Sequence, residues 1–428
     1  NINFGKWILK FKFVKIIIMN QVVLTPAQKA LQINLDSNLY GTFAEIGAGQ
    51  EVVRHFFRAG GASGTVAKAM SAYDKDFSDA IYGKETDGRY VCESRLKKII
   101  AHEYGLITER IERNKHPEKR FFSFANNVAT INFSKSNDGH GWMGIRFQLN
   151  SNSQPNDVII HFLLHELETK QQQISTGILG VNLLYACMFH YNNPKEIIKQ
   201  LFDNLNSGQI QIDMIKMNGP DFIHIDNRLL SLYLVKEKMI DAVIFGPDGD
   251  NLQPSEILYK KNILAIRGSF RPVTKVNIDM IKNGYNKFIL ENKVVKEDLQ
   301  VLFEITLSNL SSEGEIDEQD FLDRADILCS IGQTVLISNY QRYYKLLDYF
   351  SKFTNKRMGV ILGVPNLKQI FEEKYYRHLD GGILEAFGKM FNRDLKIYLY
   401  PFLDKEKGSI VNSNNIEIHP RLKALYQH

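Results

Sequence analysis

The chain has 428 residues, 53 Lys and Arg against 48 Asp and Glu, and a formal net charge of +5, with 44% hydrophobic and 24% charged residues. That length predicts two or three domains, and the hydrophobic share is enough to give each a core. The small net charge, without a dense basic stripe interleaved with aromatics, gives no sign of a nucleic-acid partner.

Cys92, Cys187 and Cys329 lie too far apart for a zinc spacing or a disulfide framework, and they read as buried thiols of a reducing compartment. Residues 7–18 are apolar but interrupted by Lys10, Lys12 and Lys15. A signal peptide needs an unbroken apolar stretch of about 7–15 residues, and a spanning helix needs about 20. Met19 reads as a natural start, which makes residues 1–18 an extension or disordered tail, with a basic amphipathic anchor as the rival reading. The expected setting is cytoplasmic, with no membrane partner.

In chain order, residues 42–46 predict a strand that ends in the glycine turn 47–49, before a helix that starts at 51–58. The glycine turn is a weak nucleotide-binding signal. Residues 60–65 form a second glycine-rich loop. Tight packing of small residues explains it, while a functional reading gives Ser63, Thr65 and Lys68 an anion at a helix N-terminus. Asp74, Asp76 and Asp79 could form a carboxylate cluster. Residues 90–111 predict a helix, 128–133 and 144–149 strands, 158–164 a buried strand, and 169–205 a helix broken near 192–194. His161 and His165, with Glu166 and Glu168 beside them, could pair on a metal, although the H-E-x-x-H order is absent.

Beyond residue 205 the β–α rhythm is regular. Strands are predicted at 210–217, 242–245, 263–267, 301–307, 334–338, 358–362 and 396–400, and helices at 228–238, 276–290, 318–328, 341–353 and 367–391. The alternation predicts an α/β fold with a Rossmann-like, largely parallel sheet in the C-terminal part, preceded by a second α/β region. The boundaries read as 19–255 for an N-terminal region of unassigned role, 256–405 for the C-terminal domain and 406–428 for a tail. Ligands of such sheets bind beyond the carboxyl ends of the strands. Residues 245–249, with Asp248 and Asp250, are one such end and a candidate for Mg²⁺ or ribose contact, against a plain turn.

The motif that carries most weight follows the strand at 263–267. Residues 268–277 read G-S-F-R-P-V-T-K-V-N. Glycine permits close backbone approach to phosphate, and a helix N-terminus offers unpaired N–H groups to anionic oxygens. The segment resembles the G-S-F-x-P-x-H/T-x-G-H opening of the nicotinamide-mononucleotide and phosphopantetheine adenylyltransferase superfamily. Downstream, V-L-F-E-I-T-L-S-N-L at 301–310, T-V-L-I-S-N at 334–339, R-M-G-V-I-L-G at 357–363 and K-Y-Y…G-G at 374–382 resemble, in order, a cytidylyltransferase-like domain sometimes fused behind a nicotinamide-nucleotide amidase-like domain. Residues 60–73 faintly resemble a segment of those amidases. The chain from about Gln21 onward resembles a bacterial group labelled nicotinate-nucleotide adenylyltransferase.

The resemblance implies a transferase that moves a nucleotidyl group from ATP, with Mg²⁺, to a phosphorylated acceptor such as nicotinate or nicotinamide mononucleotide. Thr274, Asn277 and Lys275 would be catalytic, and Gly268, Ser269, Phe270, Arg271 and Gly363 would bind the nucleotide. No protein-held metal site is expected, and a homo-oligomer is left open. The chain departs from the pattern at Asn277, where histidine is expected, and at Val276, where glycine is. Asparagine donates a hydrogen bond but carries no charge, and Lys275 or Arg271 would have to supply it. The rival is a non-catalytic nucleotide-binding or assembly protein with the same fold. A third reading is a (β/α)₈ barrel with Glu304 and Asp213 as catalytic residues.

Overall fold

A computed structural model describes residues 23–86, 88–311 and 314–427. The expectations for residues 1–18 and for Met19 lie outside them. The chain divides into two units, residues 1–157 with 164–210, and residues 158–163 with 211–428. Its fold is mixed α/β.

The first unit carries α1 (Pro26–Leu35), β1 (Leu39–Gly47), α2 (Val52–Ala59), β2 (Val66–Ala72), α3 (Lys75–Tyr82), α4 (Glu93–Arg110), β3 (Arg120–Ala129) and β4 (Gly139–Phe147). After β5 (Asn156–Leu164) come α5 (Thr169–Phe189) and α6 (Pro194–Leu201). The strands run in the order β2-β1-β3-β4. The first three are parallel, and β4 is antiparallel to β3.

Two sequence expectations are corrected here. Residues 130–133 lie outside any strand, and the strand occupies 120–129 instead. It was hidden because Ser123, Asn126 and Asn127 are fully buried on it, which breaks the apolar pattern of a core strand. Residues 66–72 form β2, not a helix, so Ser63, Thr65 and Lys68 have no helix N-terminus above them. Thr65 donates to the carbonyl of Asn34, and Lys68 pairs with Glu103 at 2.8 Å.

The second unit holds the 158–163 stretch of β5 with β6 (Ile210–Asn218) and α7 (Asn227–Lys236). There follow β7 (Ala242–Phe245), β8 (Asn251–Leu252), α8 (Pro254–Ile257), β9 (Asn262–Arg267), α9 (Lys275–Phe288), β10 (Leu299–Thr306), α10 (Leu307–Leu310), α11 (Glu318–Ser330), β11 (Thr334–Ser338), α12 (Tyr343–Ser351), β12 (Met358–Gly363), α13 (Val364–Ile370), α14 (Gly382–Phe391), β13 (Leu395–Tyr400), β14 (Phe402–Asp404), β15 (Ser409–Val411) and α15 (Lys423–Gln427). The predicted single helix at 367–391 is two helices. Gly382, at φ +56°, takes a left-handed turn that only glycine adopts without strain.

Strands β7 to β13 form one seven-stranded sheet in the order β13-β12-β9-β10-β11-β7-β8. The five central and outer strands from β13 to β11 are parallel, while β7 pairs antiparallel with β11. Strands buried on both faces read as continuous apolar runs, as in N-I-L-A-I-R of β9, where 262–266 are all buried. Helices cover this sheet, and their apolar faces close a core around Leu302, Leu336, Leu346, Phe350, Leu362 and Ala386. The sheet is open at β13 and β8, which rules out a barrel. Glu304 sits on β10 of this sheet and Asp213 on β6, outside it.

Candidate functional site

The chain builds the parallel sheet outward from β9, through β10 to β11, then returns to the other side of β9 for β12 and β13. Where the connections part, between β9 and β12, the carboxyl ends of the strands leave a crevice, the usual ligand position in such sheets. A cleft of about 570 Å³ lies there, within the range of roughly 300–1,000 Å³ typical of small-molecule sites. The end of β9 contributes Arg267, Gly268 and Ser269, and the end of β10 contributes Thr306, Ser308 and Asn309. The connection after β11 contributes Gln341, Arg342 and Tyr343, and α13 contributes Asn366 and Gln369. No Asp or Glu is among the lining residues.

Beneath the cleft floor, Arg267 donates two hydrogen bonds to the Glu304 carboxylate, both 2.8 Å, and Ser338 donates a third at 2.6 Å. Glu304 is fully buried. Burial opposes the charge of Arg267, but the carboxylate beside it outweighs that and holds the guanidinium above its ordinary range. The Tyr343 ring lies 4.3 Å from this guanidinium. Burial pushes its phenol up to about 12, against the opposing pull of Arg267, so at neutral pH it keeps its proton.

The glycine loop after β9 is pinned from below. Arg324 on α11 donates to the carbonyls of Ser269 at 3.0 Å and Asn309 at 3.2 Å, tying the β9 and β10 connections together. Asp320 pairs with both Arg324 and Arg271. Phe270 sits at φ +47°, a conformation that costs a bulky residue energy. Its ring is buried against Phe303, with centroids 5.3 Å apart.

The residues singled out from sequence are therefore dispersed in role. Gly268 and Ser269 line the cleft. Phe270 anchors the loop in the core, and Arg271 is tied to Asp320. Thr274 and Asn277 form a reciprocal cap on α9. The Thr274 hydroxyl donates to Asn277 Oδ1 at 2.7 Å, the Thr274 N–H donates to the same oxygen at 2.9 Å, and the Asn277 N–H donates back to Thr274 Oγ1 at 3.3 Å. Lys275 opens α9 and is exposed. Gly363 is the N-cap of α13 and is not among the lining residues. Sequence reasoning missed Gln341, Arg342, Tyr343, Asn366 and Gln369. The strand-end rule, carried to the connection after the strand at 334–338, was the signal that could have found the first three.

Because β7 is antiparallel, residues 246–249 lie at the opposite end of the sheet from the cleft, and Asp248 accepts from the Asp250 N–H within its own turn. After the 47–49 turn, the Glu45 carboxylate already accepts from the N–H groups of Val52 at 2.7 Å and Val53 at 3.3 Å. That satisfies the start of α2 from inside the protein, so no phosphate is needed there. Asp74 caps α3, and Asp79 pairs with Arg95. His161 is fully buried, with Nδ1 2.5 Å from Asp213 and Nε2 3.0 Å from Gln253. Among the described residues no group of three or more His, Cys, Asp or Glu could hold a metal ion, and no helix is long and apolar enough to cross a membrane.

No family model matches the chain, and no similar curated protein was found. Among solved structures the chain is similar to competence/damage-inducible proteins. One is the protein CihA from Agrobacterium tumefaciens, at 15% identity over 38% of this chain and 94% of that one, with a TM-score of 0.28. A second, from Enterobacter asburiae, shows 13% identity over 39% and 99%, with a TM-score of 0.28. A third, a CinA superfamily protein from Klebsiella pneumoniae, shows 8% identity over 39% and 96%, with a TM-score of 0.29. Likenesses at this level assign neither family nor activity.

Proposed function

We propose that the cleft at the carboxyl ends of β9, β10, β11 and β12 binds a nucleotide, and that the chain transfers a nucleotidyl group from ATP to a phosphorylated acceptor of the mononucleotide class. The observation that carries this reading is the position of the G-S-F-R-P loop. It leaves the first strand of the parallel sheet at the switch point, with Gly268 and Ser269 in the cleft wall, and leads along the chain into α9, which begins at Lys275. The Gly268 N–H is taken up by the Glu304 carbonyl and those of Thr274 and Asn277 by the cap, which leaves the N–H groups of Lys275 and Val276 at the start of α9 to favour phosphate oxygens. The lining fits the organic part of a nucleotide, because Gln341, Asn366 and Gln369 both donate and accept hydrogen bonds. It does not fit a metal held by the protein, since no carboxylate faces the cleft. Mg²⁺ would arrive on the triphosphate oxygens.

A specific observation favours a second reading, binding without transfer. Asn277 Oδ1 is committed to the cap on Thr274, and the uncharged amide at this position gives a developing phosphate charge less help than a cation. Calorimetric titration of the full chain with ATP and a non-hydrolysable analogue, followed by a pyrophosphate-release assay over a panel of mononucleotides, separates the readings. Binding with release supports transfer, binding without release supports the second reading, and absence of binding ends both.

A further inference from the structure

Resting on the reading of the cleft as a nucleotide site, we propose that Arg342 is its phosphate-recognising residue and holds one phosphoryl group, so that this side of the cleft takes the mononucleotide acceptor and not the triphosphate donor. Two guanidinium groups line the cleft, and they are in different electrical states. Arg267 is neutralised by the bidentate bond to Glu304. Arg342 forms no ion pair with any carboxylate among the described residues, and its guanidinium carbon lies 3.9 Å from the centre of the Tyr375 ring. Stacking engages the face of a guanidinium and leaves its in-plane N–H fork for an oxyanion.

Arg342 is also the N-cap of α12, and no side chain caps that nine-residue helix. The positive end of the helix dipole therefore adds to the guanidinium charge. With no carboxylate in the lining, the cleft presents one uncompensated positive charge. That suits a phosphomonoester, whereas a triphosphate with its several charges calls for more than one cation. Lys275 and Arg271 belong to the loop and first turn leading into α9, and neither lines this cleft.

The test uses the full chain and calorimetric titration with adenosine, cytidine and nicotinamide riboside, their 5′-monophosphates, and ATP. The wild type is expected to bind the preferred monophosphate at least about tenfold more tightly than its nucleoside. Arg342→Gln is expected to weaken that monophosphate by roughly 10–100-fold, the range of a charge-assisted hydrogen bond, with nucleoside and ATP affinities unchanged. Arg342→Lys keeps the charge but not the fork and is expected to fall between the two. Arg342 is only half-buried, so thermal unfolding of both variants should match the wild type. Equal monophosphate affinity in wild type and Arg342→Gln, or an equal loss of ATP, overturns the role of Arg342 while leaving the cleft a nucleotide site. A wild type that binds no nucleotide overturns the cleft reading and this proposal with it.

Discussion

Arg267 and Glu304 are register partners on the adjacent parallel strands β9 and β10, and their side chains close a bidentate ion pair directly under the cleft. The pair lies where both strands end, so it fixes the two connections that form the cleft wall. Gly268 N–H donates to the Glu304 carbonyl at 3.1 Å and extends the same clamp into the backbone.

Breaking the pair from one side leaves an uncompensated buried charge, at a cost of about 3–5 kcal/mol. Glu304→Ala is therefore expected to lower the urea midpoint of the second unit sharply, with part of the loss restored when Arg267→Met is added. A Glu304→Ala variant as stable as the wild type would show that the pair contributes nothing to the fold.

Thr274→Ala removes the cap on α9 and should cost about 0.5–2 kcal/mol, while Thr274→Ser should retain most of it. If the first turn of α9 also faces a bound phosphate, the alanine variant binds ATP more weakly and the serine variant does not. Thermal unfolding and ATP titration, run side by side, read the two effects separately.

Glu45 is fixed inside the first unit, and burial raises its carboxyl from the ordinary 4.5 to about 7, partly offset by the N–H groups of Val52 and Val53. A group with a raised folded pKa binds its proton more tightly in the folded chain. Its contribution is thus complete below about pH 4.5 and is lost as pH rises through about 7. Glu45→Gln keeps an acceptor for α2 and removes the titration. Stability measured from pH 4.5 to 8 should fall more steeply in the wild type than in the variant, and parallel curves would count against the assignment.

Gly47 takes φ +71°, and an added Cβ would meet the Val128 carbonyl oxygen at 2.5 Å. Both terms are backbone constraints that no side-chain rotation relieves. Gly47→Ala should destabilise by more than the ~1–2 kcal/mol of the left-handed conformation alone, read as a lowered melting temperature. An unaffected melting temperature would mean that the β1–α2 turn rearranges freely.

Phe270→Ala removes a buried ring from under the glycine loop and should cost about 3–5 kcal/mol. Nucleotide affinity is expected to fall with it, because the loop loses its anchor on Phe303. Limited proteolysis around residues 268–274 gives an independent reading of loop order.

The α/β class and most strands of the second unit were legible because a parallel sheet buried on both faces writes itself as short apolar runs between amphipathic helices. Runs such as 242–245 and 334–338 coincide with their strands to the residue. The first unit was harder to read. β3 buries Ser123, Asn126 and Asn127, and β2 is a largely half-buried, alanine-rich run that carries Lys68, so neither shows the alternation on which periodicity depends.

What the sequence determined by itself was the chain's local grammar. It placed a glycine-bearing loop after an apolar strand, a helix after that loop, and the succession of β–α units. Only the tertiary structure decided that β9 lies at the centre of its sheet, that the β7 turn faces away from the cleft, and that of two arginines in the wall one is neutralised while the other is not. Those facts depend on strand order and direction and on partners tens of residues apart, such as Arg267 and Glu304. Local pattern is blind to them, because hydrophobic spacing records which side of an element is buried but not what it is buried against.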